Sequence, residues 1–241
     1  MYRIVFFLAC LIVNLTYSCT KKEEPIFIEA KQESEVEIVK AIYIFDGKAV
    51  NENPLEFSDE NIYIGITGKL DEVDDKKGIV TIYAFSSKEE YIKWGNDNGF
   101  PVALKLEIAE HLSTYAIEKG VIDEYERTGV VPQSYIKYER QYYERMMSSS
   151  LNQAGTRGYT MLHKECIGGP SAPIISTLPV MWPGWNNKVS AYFDFNVWGN
   201  LTIFDRTFYR KKLASIWDWG WKKVCFTGPL SPLDNKMSSG F

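Results

Sequence analysis

Two stretches near the C-terminal end of the chain say nearly the same thing, WNNKVSAYF at 185–193 and LDNKMSSGF at 233–241. Each sets two Asn/Asp residues, a lysine, an apolar residue and a serine in fixed order. YTMLHKECIGGPSAPIIS precedes the first and LTIFDRTFYRKKLASI the second. Each half therefore reads as a strand, a hairpin with apolar or aromatic anchors, a second strand, a loop, and the Asn/Asp–Lys–Ser run leading into a last strand. An internal repeat of about forty residues constrains this region to a two-copy β architecture.

Other features of the region agree. Six of the seven tryptophans fall between 182 and 221, prolines and glycines are frequent, and no helical period persists. A compact all-β domain is expected over 158–241. The preceding SSSLNQAGTRG is small, polar and Gly-containing, so 148–157 reads as a linker.

Residues 35–147 have a different character. VEIVKAIYIFDGKAV and NIYIGITGK read as strands, the second alternating Ile62, Ile64 and Ile66. In GIVTIYAFSSKEEYIKWGNDNG the period changes at Ser87. Ser87 and Glu90 have capping-box spacing, which predicts a helix that ends near the Asn/Gly cluster at 96–99. A second helix carries Leu104, Ile108, Leu112 and Tyr115 on one face and stops at Gly120. A third carries Tyr135, Tyr138, Tyr142 and Met146 as a stripe, read as a face packed on the domain. The expected fold class is thus an α+β N-terminal domain at 35–147, followed by the all-β C-terminal domain. His111, with no partner His at helical spacing, reads as a solvated residue.

Charge divides at the same place. Residues 19–150 carry 16 Lys+Arg against 26 Asp+Glu, whereas residues 151–241 carry 10 against 5. The contrast suggests two units with an electrostatic attraction between them. The basic part is too dilute in charge for a nucleic-acid binder. With only His111 and His163, a histidine-rich metal or catalytic centre is excluded.

Residues 1–18 carry one arginine and an apolar run too short to span a bilayer, the build of an export signal. Cys19 follows a small serine and precedes TKKEEP. This resembles the lipobox of bacterial lipoproteins, and the charged run resembles the surface-export signal of Bacteroidetes-type lipoproteins. The resemblance implies lipidation at Cys19, a tether over 19–34, and an outer-membrane location facing outward.

The duplicated region resembles the βγ-crystallin domain, a double Greek-key β-sandwich. The family's hairpin signature, aromatic, four residues, aromatic, one residue, glycine, maps to Leu162, Ile167 and Gly169, and again to Phe204, Tyr209 and Lys211. Lys211 stands where glycine normally takes a positive φ, so the second hairpin is expected to be strained or rearranged. The calcium signature, two Asn/Asp, two residues, Ser/Thr, Ser, is complete in DNKMSS at 234–239 and lacks only its last serine in NNKVSA at 186–191, where Ala191 stands. The resemblance implies calcium bound by the carbonyls of Lys188 and Lys236, the hydroxyls of Ser190 and Ser238, support from Asn187 and Asn235, and the hairpin residues His163 and Asp205. Few carboxylates surround such sites, so the affinity would be weak. The same side chains also tie down turns without metal, and both readings stand. Because the family exchanges a short strand between its halves, KVCF would lie against the first half, which implies a Cys166–Cys225 disulfide.

These features favour a non-enzymatic surface-anchored module, structural or binding, whose partner in the second case would be an extracellular protein or a glycan. An inhibitor of extracellular proteases would need the loop TGPLSPL to be exposed and rigid. A carbohydrate platform would use Trp182, Trp185, Trp198, Trp217, Trp219 and Trp221. No nucleophile motif, paired histidines, phosphate loop or carboxylate pair marks an enzyme.

Overall fold

A computed structural model describes residues 35–57, 62–70, 77–150, 160–164, 171–174, 179–181, 189, 191–194, 200–217 and 223–240. Described strands are β1 (Glu35–Phe45), β2 (Lys48–Val50), β3 (Tyr63–Leu70), β4 (Lys77–Phe85), β5 (Thr160–His163), β6 (Ser171–Ile174), β7 (Ala191–Asp194), β8 (Asn200–Arg206), β9 (Arg210–Trp217), β10 (Lys223–Cys225) and β11 (Ser239–Gly240). Described helices are α1 (Pro54–Phe57), α2 (Lys88–Asp97), α3 (Val102–Glu118), α4 (Val121–Thr128), α5 (Gln133–Ser150) and a 3-10 helix at Gly228–Leu233.

The architecture is helices plus a mixed sheet, and the strands of the two sequence halves share it. Pairing runs β11-β8-β9-β3-β4-β1-β10-β7-β5-β6, with β2 folded back on β1. β3 joins β9 in parallel through Gly65, Ile66 and Thr67, and β1 joins β10 in parallel through Glu35 and Val36. The stretches expected as successive units thus continue one another's ladders. Of the expected linker, residues 148–150 end α5 and the rest lies outside the described residues.

Alternation sorts the side chains of this sheet onto two faces. Ile64 and Ile66 of β3, Val80 and Ile82 of β4, Leu201 and Ile203 of β8, and Ala214 and Ile216 of β9 are all fully buried in one core. Leu162 of β5, Val189 and Met237 join the same core, so it draws on both halves. At about 25 cal/mol per Å² of apolar surface removed from water, a shared core of this kind is what joins the halves.

The opposite face is aromatic and carries the helices. Tyr63, Tyr83, Phe85 and Trp217 meet Tyr91 and Trp94 of α2, with Val102 and Leu106 of α3. Gly65 permits this approach, because a Cβ there would run into the Trp94 ring. The Ser87 hydroxyl accepts from Glu90 N–H at 3.1 Å, so α2 starts where its cap spacing predicts. Further along α3, Ile108, Ala109 and Leu112 pack with Tyr142 against Phe204 and Tyr209. Ala116, Val121, Ile122 and Tyr135 enclose Phe208. The tyrosine stripe of α5 is therefore a packed face, as its spacing indicates.

Candidate functional site

The second hairpin and the DNKMSS loop meet under this helical layer. The turn at 207–209 joins β8 to β9, and Phe208, Tyr209 and Lys211 adopt φ of 57°, 58° and 49°. Left-handed backbone costs an L-residue about 1–2 kcal/mol, so three such residues persist only where packing over-determines them. The packing is visible. Phe208 is fully buried and meets Tyr125 and Tyr135 edge-on at 5.6 and 5.5 Å. Its N–H donates to Pro179 O at 2.6 Å. The Phe204 and Tyr209 rings meet edge to face at 5.6 Å, and the Tyr209 hydroxyl donates to the buried Glu139 carboxylate of α5. Lys211 thus keeps the left-handed conformation expected of glycine, and the hairpin is strained rather than rearranged. Its Nζ pairs with Asp205 Oδ2 at 2.9 Å.

The signature serines divide the work. Ser239 Oγ accepts from Tyr209 N–H at 3.1 Å and donates to Arg206 O at 2.8 Å, which ties the loop to the hairpin. Ser238 is buried, its N–H donates to Phe204 O at 2.8 Å, and its carbonyl accepts from Met181 N–H at 3.0 Å. Asn235 takes a left-handed φ of 55°, and its N–H donates to Val189 O at 3.1 Å. The repeated loops therefore abut, and their equivalent apolar residues, Val189 and Met237, are both fully buried in the shared core.

Calcium takes six to eight oxygens, usually including carboxylates. Asp205 is already neutralised by Lys211. Asp234 accepts from the Asn235 amide at 3.0 Å through Oδ2, while its Oδ1 is buried with no hydrogen-bond partner. An orphaned carboxylate oxygen fits a cation at Asp234, and the paired Asp205 weakens the second half of the donor set. No cluster of three or more His, Cys, Asp or Glu side chains suited to a metal occurs among the described residues. Of the implied ligands, Asp205, Asn235, Lys236 and Ser238 fall in the described hairpin and loop. His163 lies on β5 opposite Ala191 and Ser171. Asn187, Lys188, Ser190 and Cys166 lie outside the described residues, as does Cys19. Cys225 ends β10 and is disulfide-bonded.

Other expectations change. His111 is exposed but not merely solvated. Its ring stacks on Tyr142 at 4.0 Å, and its Nε2 lies 2.6 Å from the Tyr138 hydroxyl. Trp217 is buried against Phe100 and so cannot serve a sugar platform. In TGPLSPL, Leu230 and Leu233 are buried, while Thr227, Gly228 and Ser231 are exposed.

A second cluster had no readable signal. Lys212 Nζ sits 3.8 Å above the Tyr91 ring centre, and burial pushes its amine well below the usual lysine range. Burial likewise raises the Tyr91 phenol. The Ser215 hydroxyl and Trp217 indole lie beside that phenol and oppose the rise, but neither is aligned for a hydrogen bond to it. The responsible feature is a register shift in β8–β9, where Ile203 faces Ala214 and Phe204 faces Lys212, leaving Leu213 bulged.

No protein-family model matches the chain, and no curated protein matches it. Among solved structures, it is similar to the crystal structure of a βγ-crystallin from an archaeon. That likeness has 20% sequence identity, covers 35% of this chain and 96% of that chain, and has a TM-score of 0.28.

Proposed function

We propose that the chain is a non-enzymatic, surface-anchored lipoprotein whose C-terminal part is a double Greek key of βγ-crystallin type, serving as a structural or binding module with weak calcium affinity. The observation that carries this reading is a reciprocal exchange. β10, from the second copy of the repeat, pairs antiparallel with β7 of the first. In return, Met181 and Pro179 of the first copy bond to Ser238 and Phe208 of the second. The two copies are thus bonded in both directions, by a strand pairing one way and by two loop hydrogen bonds the other. The Cys19 anchor rests on the apolar leader and the charged run behind the cysteine.

Calcium would draw on Asp234, Asn235, the Lys236 carbonyl and Ser238, with Asn187, Lys188, Ser190, His163 and Asp205 completing the pair of sites. Its contribution would be cross-linking two loops that already abut at Val189 and Asn235. The test is thermal unfolding of the 20–241 chain in chelator and then in millimolar calcium, beside a Ser190→Ala, Ser238→Ala variant. A calcium-dependent rise in midpoint that the variant lacks supports the ion sites. No rise in the parent chain leaves the repeated runs as fold-forming turns and removes calcium from the proposal.

A further inference from the structure

Four buried side-chain polar atoms among the described residues have no hydrogen-bond partner, and three of them share one place: Lys212 Nζ, Tyr91 Oη and Trp217 Nε1. Native proteins leave few such atoms, and each calls for an explanation such as an ion or a water. Here the backbone delivers them. Strict alternation would point Lys212 with Ala214 and Ile216 into the apolar core, but the bulge at Leu213 turns it to the face of Ser215 and Trp217. The residue is only partly buried while its nitrogen is fully buried, the reverse of the usual arrangement in which a lysine head reaches for water.

The chemistry of the cluster is donor-rich. An ammonium offers three N–H donors, an indole one, and a phenol one beside its own accepting oxygen. The neighbouring hydroxyls, Thr202 and Ser215, already bond each other at 3.0 Å. Among the described residues no opposite charge holds the Lys212 proton, since burial is the cause of its shift. The ring face of Tyr91 offers the ammonium an attraction that is small beside the cost of desolvating a charge. What the place lacks is an acceptor with negative charge. The ammonium lies over the Tyr91 ring and the hydroxyl is on that ring's rim, so one acceptor atom can reach both.

We infer that Lys212, Tyr91 and Trp217 form a binding site for a small monovalent anion, a halide or a one-carbon carboxylate. The bound anion restores the charged ammonium and gives the lysine, indole and phenol donors a charged acceptor in common. Larger anions are excluded by the aromatic wall of Tyr63, Phe85 and Trp94 around Tyr91.

The test is the thermal midpoint of the 20–241 chain titrated with sodium chloride or sodium formate, at ionic strength matched with a bulky sulfonate salt. Lys212→Met keeps the stem and removes the charge, and Tyr91→Phe removes only one donor. The parent should gain about tenfold in its folding constant for each tenfold of anion above the dissociation constant. Lys212→Met should not respond, and Tyr91→Phe should need more anion for the same shift. Equal responses in the parent and Lys212→Met, or no response in the parent up to about 0.1 M anion, would overturn the assignment. If Lys212→Met fails to fold, Tyr91→Phe decides: a titration unchanged from the parent refutes the site.

Discussion

Replacing Phe208 measures how firmly the helices hold the second hairpin, because its side chain and its backbone pull in opposite directions. The ring is fully buried among Ala116, Val121, Ile122 and Tyr135, with edge-on partners at 5.6 and 5.5 Å. Truncating such a phenylalanine to alanine costs about 3–5 kcal/mol, the cavity included. Glycine removes the same ring and adds unfolded-state entropy, which ordinarily costs a further 0.5–1 kcal/mol or so. At φ 57°, however, alanine also pays for left-handed backbone, by about 1–2 kcal/mol, and glycine does not. Phe208→Gly should therefore be as stable as Phe208→Ala or up to about 1.5 kcal/mol more stable, reversing the usual order. Urea unfolding of the three proteins, with an unchanged m-value, gives both differences. A loss under about 1 kcal/mol in Phe208→Ala would refute the docking of α3–α5 on the hairpin. A glycine variant clearly below the alanine one would refute the left-handed turn.

Three further outcomes follow from the same geometry. Ser239→Ala should cost about 1–3 kcal/mol in urea unfolding, because the buried Tyr209 N–H and the Arg206 carbonyl both lose their partner. Lys212 has a lowered folded-state affinity for protons, so folding releases a proton wherever the pH lies between its folded and unfolded values. Its contribution to stability is lost as pH falls through the folded value and is fully present only above the unfolded value near 10.4. In buffers that contain only a bulky anion, the parent should accordingly gain stability relative to Lys212→Met as pH rises from 7 toward 10, and parallel pH curves would contradict this. Non-reducing mass mapping should join the Cys225 peptide to that of Cys166, and Cys225→Ser should cost about 2–5 kcal/mol. A Cys225 peptide recovered as a free thiol would contradict both.

Local chemistry made some features readable in advance. The start of α2 follows from Ser87 and Glu90, since a cap is a contact between residues three apart. The buried face of β3 follows from alternation of Ile64 and Ile66, and the packed face of α5 from tyrosines at helical spacing. The repeat carried more. It marked Val189 and Met237 as equivalent, and both are fully buried where the two loops meet. Short α4 was not readable, because eight residues between Gly120 and Gly129 give too little period to recognise.

The sequence by itself determined the faces: which residues turn inward, where a helix is capped, and that a β unit occurs twice. Period and capping are properties of neighbours in the chain. Only the tertiary structure decided the partners. Nothing local tells β3 to accept β9 in parallel, or β1 to accept β10, because a strand's alternation is the same whichever strand lies beside it. It also decided that Lys211 takes a left-handed backbone, with its amine paired to Asp205. Lys212 is the sharpest case. One bulged residue reverses the side to which every following side chain points, and it moved an amine from the expected apolar core into an aromatic layer without an acceptor.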